Sequence, residues 1–439
     1  MTPVEITLLM LLGFLIVLFL GHPLMSTLGG LAVIFGFIFW GDGNILAMFA
    51  RTATKTATTI SYVCIPLFIF MGCILERSGV SEKLFEAMYI VLGRVRGGLG
   101  LATVLICALM GAATGIIGAS ITIMGMLALP SMIKYGYDKR MASGTVMAAG
   151  SLGTMIPPSV ILVIYGSLAQ ISIAKLFAGG LIVGLLLAGL YMAYIVVRTL
   201  LDKNAGPPID PEESARYTLG AKVKMFVTSI IPPLALILIV LGTLLAGVST
   251  PNEAAALGCV GALIIAIAFK KFSWTMIKES CFQTMLTTAL VMWIILAASM
   301  FTTIFMGLRG GMVVQEMVTG LVANKWVVLA FILFLIFVMG MIIDTYGILL
   351  IGVPLFTPII SKMGFDPLWF GMLFAIMVQV SVLSPPFAYA AFYLKGVAPK
   401  EIGLNDLYWA SLPFIALQLL AVVLCCFFPE IATWLPSKI

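Results

Sequence analysis

The stretch "GTMIPPSVIL", residues 153–162, decides how this chain folds. Two adjacent prolines interrupt an apolar run. Proline has no N–H and its ring clashes with the preceding turn, so a helix entering the stretch must break there. In hydrocarbon an unpaired backbone group costs several kcal/mol, and a break survives only where protein or a polar cavity surrounds it. The same feature returns at "VSVLSPPFAY", residues 380–389. An offset of 228 residues carries Pro157 and Pro158 onto Pro385 and Pro386.

That single offset aligns much more of the chain. It brings Pro23 onto Pro251, Gly30 onto Gly258, Gly79 onto Gly307 and Pro130 onto Pro358. It also superposes the turns Lys134–x–Gly136–Tyr137–Asp138 and Lys362–x–Gly364–Phe365–Asp366. Chance supplies one or two such matches, not both proline pairs and both turns. The chain reads as a duplication: a first repeat over 1–200, a polar linker over 201–221 and a second repeat over 222–439.

Composition sets the medium. Of 439 residues, 62% are hydrophobic and only 10% charged, where a soluble protein carries about 25% charged residues. Apolar stretches of bilayer-spanning length recur from end to end. The fold expected is all-α and polytopic, in a lipid bilayer. The net charge of +6 is scattered among loops, which speaks for topology and not for nucleic-acid binding. No Lys or Arg precedes the first apolar segment, so it reads as a retained span. The seven cysteines show neither metal spacing nor a disulfide framework and read as small packing residues. His22, before Pro23, is read as a loop residue.

Segments 99–133 and 326–361 are too long for one crossing and have weak centres. Both read as re-entrant helical hairpins. The more polar stretches 78–98 and 307–325 read as amphipathic arms along the interface. Each repeat then has five crossings and one hairpin. Five is odd, so the second repeat is expected to be inverted relative to the first. Placing both termini outside the cytoplasm puts 17 of the 24 Lys and Arg on the cytoplasmic side, as the positive-inside rule requires.

Inverted repeats with interrupted helices are the signature of secondary transporters, whose sites lie near the midplane. Four breaks are expected here: "GAATGIIGAS" (111–120), "GSLGTMIPPS" (150–159), "GMIIDTYG" (340–347) and "QVSVLSPPFAY" (379–389). Carbonyls and hydroxyls at such breaks suit a hard cation, and helix N-termini suit a carboxylate. Thr114, Ser120, Ser151 and Thr154 are available in one half, and Asp344, Thr345, Ser381 and Ser384 in the other. Asp344 is the one acidic residue well inside a long apolar run. It reads as a sodium ligand, a proton carrier, or a carboxyl buried against a neutral partner. Glu253 reads as a helix-start residue. No Lys or Arg lies in any break, so a substrate carboxylate would be held by N–H groups, hydroxyls and bound cations. A phosphate-binding Gly-Lys-Ser/Thr motif is missing and no ATP is expected.

At these residues the sequence resembles the large membrane subunit of tripartite ATP-independent periplasmic (TRAP) transporters. The resemblance is carried by "IPLFIFMG" (65–72), "GRVRGGLG" (93–100), "LALPSMIKYGYD" (127–138), "GSLGTMIPPSVILVIYG" (150–166), "STPNEAAALG" (249–258) and "MGMIIDTYGILLIGVPLFTPIISKMGFDP" (339–367). It implies a bacterial inner-membrane, sodium-coupled importer of organic acids working by an elevator mechanism. It implies a soluble periplasmic substrate-binding protein and a separate small four-helix membrane subunit as partners. It implies no cofactor beyond sodium as coupling ion; no nucleophile–base pair or metal cluster appears in the sequence, so no enzymatic activity is expected. Carried over by position, sodium ligands fall at Thr114 and Gly115 with Gly153, Thr154 and Pro157, and at Asp344 and Thr345 with Ser381, Ser384 and Pro385. Substrate contacts fall at Ser120, Ser151 and Tyr346. The family often has Ser-Gly-Ser at the first tip, where this chain has Thr114, Gly115 and Ile116. The end "SPPFAYAAFYLKGVAP" (384–399) looks like a branch associated with mannitol or chloroaromatic compounds, whose partner proteins bind 2-oxo acids. The competing expectation is a stand-alone sodium- or proton-coupled carboxylate or oxyanion carrier that needs no binding protein. A channel fits less well, because hairpins and broken helices suit alternating access.

Overall fold

The computed structural model describes all residues except 41–43, 115–116, 210–217 and 322–323, and no side chains at 112–114, 219 and 318–321. All regular secondary structure among the described residues is helical, and eight helices are long and apolar enough to cross a membrane. Large apolar side chains such as Leu12, Phe37, Leu238, Ile264 and Trp293 stand exposed on their outer faces. A hydrocarbon surround explains that exposure; water does not.

The offset of 228 residues read from the sequence also relates the helices. It carries Ile117–Lys134 onto Thr345–Lys362 residue for residue. It takes Lys139–Ser151 onto the start of Pro367–Leu383, and Leu24–Phe39 onto Pro251–Ala268 within a residue at each end. The two Lys–x–Gly–aromatic–Asp turns match in detail. Gly136 and Gly364 sit at φ +75° and +81°, a left-handed conformation in which a Cβ is strained. Two residues on, Asp138 and Asp366 cap the next helix through the amides of Arg140 and Leu368. Thr250 and Glu253 form a reciprocal capping box at the start of Pro251–Ala268, the helix-start role expected of Glu253.

Contacts between the halves come in reciprocal pairs. Pro251–Ala268 packs on Cys64–Arg77, and Leu24–Phe39 packs on Trp274–Gly307. The second limb of each hairpin touches the short helix beyond the other half's proline break: Thr345–Lys362 meets Val160–Ala169, and Ile117–Lys134 meets Tyr389–Lys395. Small residues permit these approaches. A Cβ on Gly125 would lie 2.7 Å from Leu394 and from Val397. One on Gly258 would lie 2.4 Å from the Met71 sulfur.

Two features differ from the sequence reading. In a stretch to which the sequence assigned no element lies a helix, Ile45–Ala57, that leads through a 3₁₀ turn, Ile60–Val63, into Cys64–Arg77. The second half has one continuous helix there, Trp274–Gly307. With Arg51, Thr54 and Lys55 the first-half version is too polar and too short to read as a membrane span. The linker is also anchored where it leaves Ile173–Leu201. Ala205 and Ile209 are buried, and main-chain bonds join Gly97 to Gly206, Asp138 to Ala205, and Ile209 to Gly93.

The packing yields a stability prediction. A Cβ on Gly144 would fall 2.2 Å from the Ala410 carbonyl oxygen and 2.6 Å from the Phe414 ring. Backbone cannot yield as a flexible side chain does, so Gly144→Ala should destabilise the purified chain by about 1–3 kcal/mol. Gly189, with nothing within 4 Å of an added Cβ, should accept alanine with no loss. Thermal midpoints in detergent compare the two.

Candidate functional site

The expected breaks fall where the prolines stand. Helix Lys139–Ser151 passes into a 3₁₀ turn, Leu152–Thr154, before Pro157, and a new helix starts at Val160. Helix Pro367–Leu383 ends before Pro385, and Tyr389–Lys395 follows. Both Pro–Pro bonds are cis.

The prolines remove particular donors. In a continuous helix the carbonyls of Gly153 and Thr154 would accept from the amides of residues 157 and 158, and those of Ser381 and Val382 from residues 385 and 386. All four of those residues are proline. Two carbonyls find substitutes. Thr154 accepts from the Ser159 hydroxyl, and Ser381 accepts from the Ser384 amide at 3.1 Å. Ser159 is also the N-cap of Val160–Ala169. Among the described residues the carbonyls of Gly153 and Val382 receive no replacement donor. An orphaned carbonyl in a buried place calls for water, a donor or a cation.

Each hairpin meets the break of its own half through a small residue. Gly111 and Gly153 are in backbone contact: a Cβ on Gly111 would lie 2.6 Å from the Gly153 Cα. In the second half a Cβ on Gly340 would lie 2.1 Å from Ser381 Oγ. Positions 153 and 381 are equivalent under the repeat. Close approach of hairpin and break is thus built into both halves.

Asp344 begins the second limb of the second hairpin. It is the N-cap of Thr345–Lys362, and its Oδ1 accepts from the Gly347 amide at 3.3 Å. A carboxylate suits that end of a helix. A cavity of about 140 Å³ joins Asp344, Thr345 and Tyr346 to Thr154 of the first break and Val382 of the second. Gly118 of the first hairpin, with Tyr389 and Tyr393, completes much of its wall. Gly118 lies against the Tyr393 ring. Both hairpins and both breaks therefore contribute to one space, which among the described residues holds a carboxylate and no Lys, Arg or His. Larger grooves exist, including one lined by Arg77, Lys278 and Glu279. They lie away from the breaks.

Of the residues singled out in the sequence, Thr154, Asp344, Thr345 and Tyr346 line this cavity. Gly153 lies behind it against Gly111, and Ser381 against Gly340. The hydroxyls of Ser381 and Ser384 donate to the carbonyls of Val378 and Val380, leaving their lone pairs as acceptors. Ser151 donates to Ala148 and is buried. Ser120 is buried on the first hairpin. Pro157 and Pro385 shape the breaks and have no N–H to give. Gly115 and the Thr114 side chain lie outside the described residues.

Two residues were missed. Val382 is apolar, and nothing in its side chain signals that its carbonyl loses a donor; counting four residues back from Pro386 does. Gln379 is fully buried, and its Nε2 donates to Thr154 Oγ1 at 2.9 Å across the two halves. It stood in the quoted break but was passed over in favour of hydroxyls.

The hairpin contact can be tested. Gly340→Ala would drive a methyl into Ser381, so it should destabilise the chain by about 1–3 kcal/mol. Adding Ser381→Gly to that variant should restore most of the loss by making room. A double-mutant cycle on thermal midpoints measures both.

Comparison with known proteins places this geometry. The family model described as "Tripartite ATP-independent periplasmic transporter, DctM component" matches residues 11–431. The C4-dicarboxylate TRAP transporter large permease protein DctM of Pseudomonas aeruginosa is 28% identical, over 87% of this chain and 88% of its own. The isethionate TRAP transporter permease protein DctMQ of Oleidesulfovibrio alaskensis is 30% identical over 87% of this chain, which spans 59% of that longer protein. The ectoine/5-hydroxyectoine TRAP transporter large permease UehC of Ruegeria pomeroyi is 28% identical over 97% of both chains. The crystal structure of the YdaH transporter of Alcanivorax borkumensis shares the fold, with a TM-score of 0.64 over 99% of this chain and 98% of that one at 16% identity. The chain belongs to the DctM family of TRAP transporter large permeases.

Proposed function

We propose that this chain is the large membrane subunit of a sodium-coupled importer of organic acids, and that the cavity around Asp344 is where cation and substrate meet. The observation that carries this reading is the pair of carbonyls at Gly153 and Val382, each deprived of its helical donor by a proline four residues on. Sodium is a hard cation that takes oxygen ligands. Carbonyls, hydroxyls and a carboxylate brought together at interrupted helices supply them.

Each group has a role. The Gly153 carbonyl with Thr154 and the first hairpin tip hold one cation. The Val382 carbonyl with Asp344, Thr345 and the Ser381 and Ser384 hydroxyls hold another. Asp344 supplies the negative charge that draws a cation out of water into a low-dielectric place. Bound cations in turn offset the charge of an incoming carboxylate, for which the cavity has no basic side chain. Binding of the cations and the substrate is thereby linked, which is what symport requires. The two hairpins and the two breaks pack as one block. Movement of that block against the outer helices, an elevator, exposes the site to each side in turn. The second repeat is inverted, both termini are periplasmic, and the chain resides in the bacterial inner membrane.

Membership of a tripartite family supports a soluble periplasmic binding protein as substrate donor and a small membrane subunit as partner. The names of the relatives, covering C4-dicarboxylates, isethionate and ectoine, support an organic acid or a similar small charged solute as cargo. The alternative is a carrier of the same fold that works without a binding protein. Uptake into proteoliposomes separates them. Transport only when the binding protein is present supports the tripartite reading, and equal transport without it supports the other.

The cation role has a sharper test. The thermal midpoint of the purified chain should rise with sodium chloride relative to choline chloride at equal ionic strength, because a ligand bound only to the folded state stabilises it. Asp344→Asn keeps the shape and the cap acceptor but removes the charge. It should insert and fold, yet lose most of the sodium-specific rise. A variant with an unchanged sodium response would contradict the assignment.

A further inference from the structure

The bond between Gln379 and Thr154 has a consequence beyond packing. The Thr154 hydroxyl has one proton, and it goes to the Ser151 carbonyl at 2.8 Å. The oxygen can therefore only accept from Gln379, so the amide must present Nε2, as it does at 2.9 Å. Turning the amide over would set two acceptors against each other. The orientation of Gln379 is thus fixed by its partner. Its Oε1 points elsewhere and is buried with no hydrogen-bond partner among the described residues.

The position is also where the repeat is asymmetric. The offset of 228 residues places Gln379 on Ser151. In the first half Ser151 closes its own turn, its carbonyl accepting from Thr154 three residues on. In the second half the equivalent residue is long, is fully buried, and reaches into the first half. It stands three residues before Val382, whose carbonyl lost its donor, and it holds Thr154, which lines the same cavity as Val382 and Asp344. A shift of the end of Pro367–Leu383 must therefore pull on Thr154, and a shift of Thr154 must pull on that helix.

We propose that Gln379 is a positioning residue that couples cation binding at the two broken turns: its Nε2 sets the Thr154 hydroxyl for the first, and its own helix carries the Val382 carbonyl for the second. This rests on the cation-coupled reading above. Filling one turn orders the other through a single side chain, so the two cations bind cooperatively. The unpaired Oε1 marks a polar group kept buried without a full set of partners, which packing alone does not require.

The experiment is a sodium titration of the full chain in detergent, read as thermal midpoint at constant ionic strength with choline chloride. The wild type should give a sigmoidal response with a Hill coefficient above 1. Gln379→Leu, close in size and lacking both amide groups, should lower that coefficient to about 1 and raise half-saturation roughly 5- to 50-fold, within the range of ordinary coupling between sites. Thr154→Val, which also removes a ligand of the first cation, should cost at least as much, Thr154→Ser should behave as wild type, and the Leu–Val double variant should be no worse than Thr154→Val alone. A general loss of packing would lower the midpoint without sodium but leave the shape of the titration unchanged. A Gln379→Leu variant with wild-type Hill coefficient and half-saturation overturns the coupling role while the cation reading stands. A wild type indifferent to sodium overturns the cation reading and this inference with it.

Discussion

In hydrocarbon every main-chain carbonyl needs a donor, and at the two Pro–Pro breaks four carbonyls have theirs removed by proline. The rest of the structure answers that constraint. Ser159 and the Ser384 amide satisfy Thr154 and Ser381. Gly153 and Val382 are left over, one in each half. The hairpins are brought close enough to enclose them by glycine at 111 and 340. Asp344 is held at the mouth of the enclosed space by the helix it caps. In the proposed reading folding and function use the same groups: the interruption that weakens the helix creates the acceptors.

The two halves reach this arrangement by different side chains. The first break is met by bare backbone, Gly111 on Gly153, while the second has Gly340 against the Ser381 hydroxyl. The first hairpin tip contributes no carboxylate by sequence; the second contributes Asp344. The orphaned carbonyls also fall one position apart under the repeat, at Gly153 and at Val382 rather than Ser381. A duplicated backbone therefore offers two unequal oxygen sets, and the Gln379–Thr154 bond ties them together.

Much of this was legible in the sequence because its signals are backbone signals. Paired prolines, the left-handed glycines at 136 and 364, and capping Asp residues act wherever they occur. They fixed the breaks, the turns and the shared offset before any packing was known. Asp344 was legible for a different reason, since a lone carboxylate in an apolar run stands out. What stayed hidden depends on which acceptor finds which donor in three dimensions. The Ser384 amide reaches the Ser381 carbonyl and no donor reaches that of Val382, whose apolar side chain gives no sign of it. Gln379 resembled any polar residue in a helix until its amide was seen crossing to Thr154. The helix Ile45–Ala57 was hidden because it is too polar overall to stand out among apolar spans.

The most direct test of the account is a high-resolution electron cryo-microscopy map of the full chain in nanodiscs, with sodium and with choline as the only monovalent cation. The account predicts density in the sodium map alone, within about 2.3–2.6 Å of the Gly153 carbonyl oxygen on one side and of the Val382 carbonyl oxygen on the other, the range of hard-cation contacts to oxygen. Identical maps, with both carbonyls hydrogen-bonded to water or to protein donors, would contradict it.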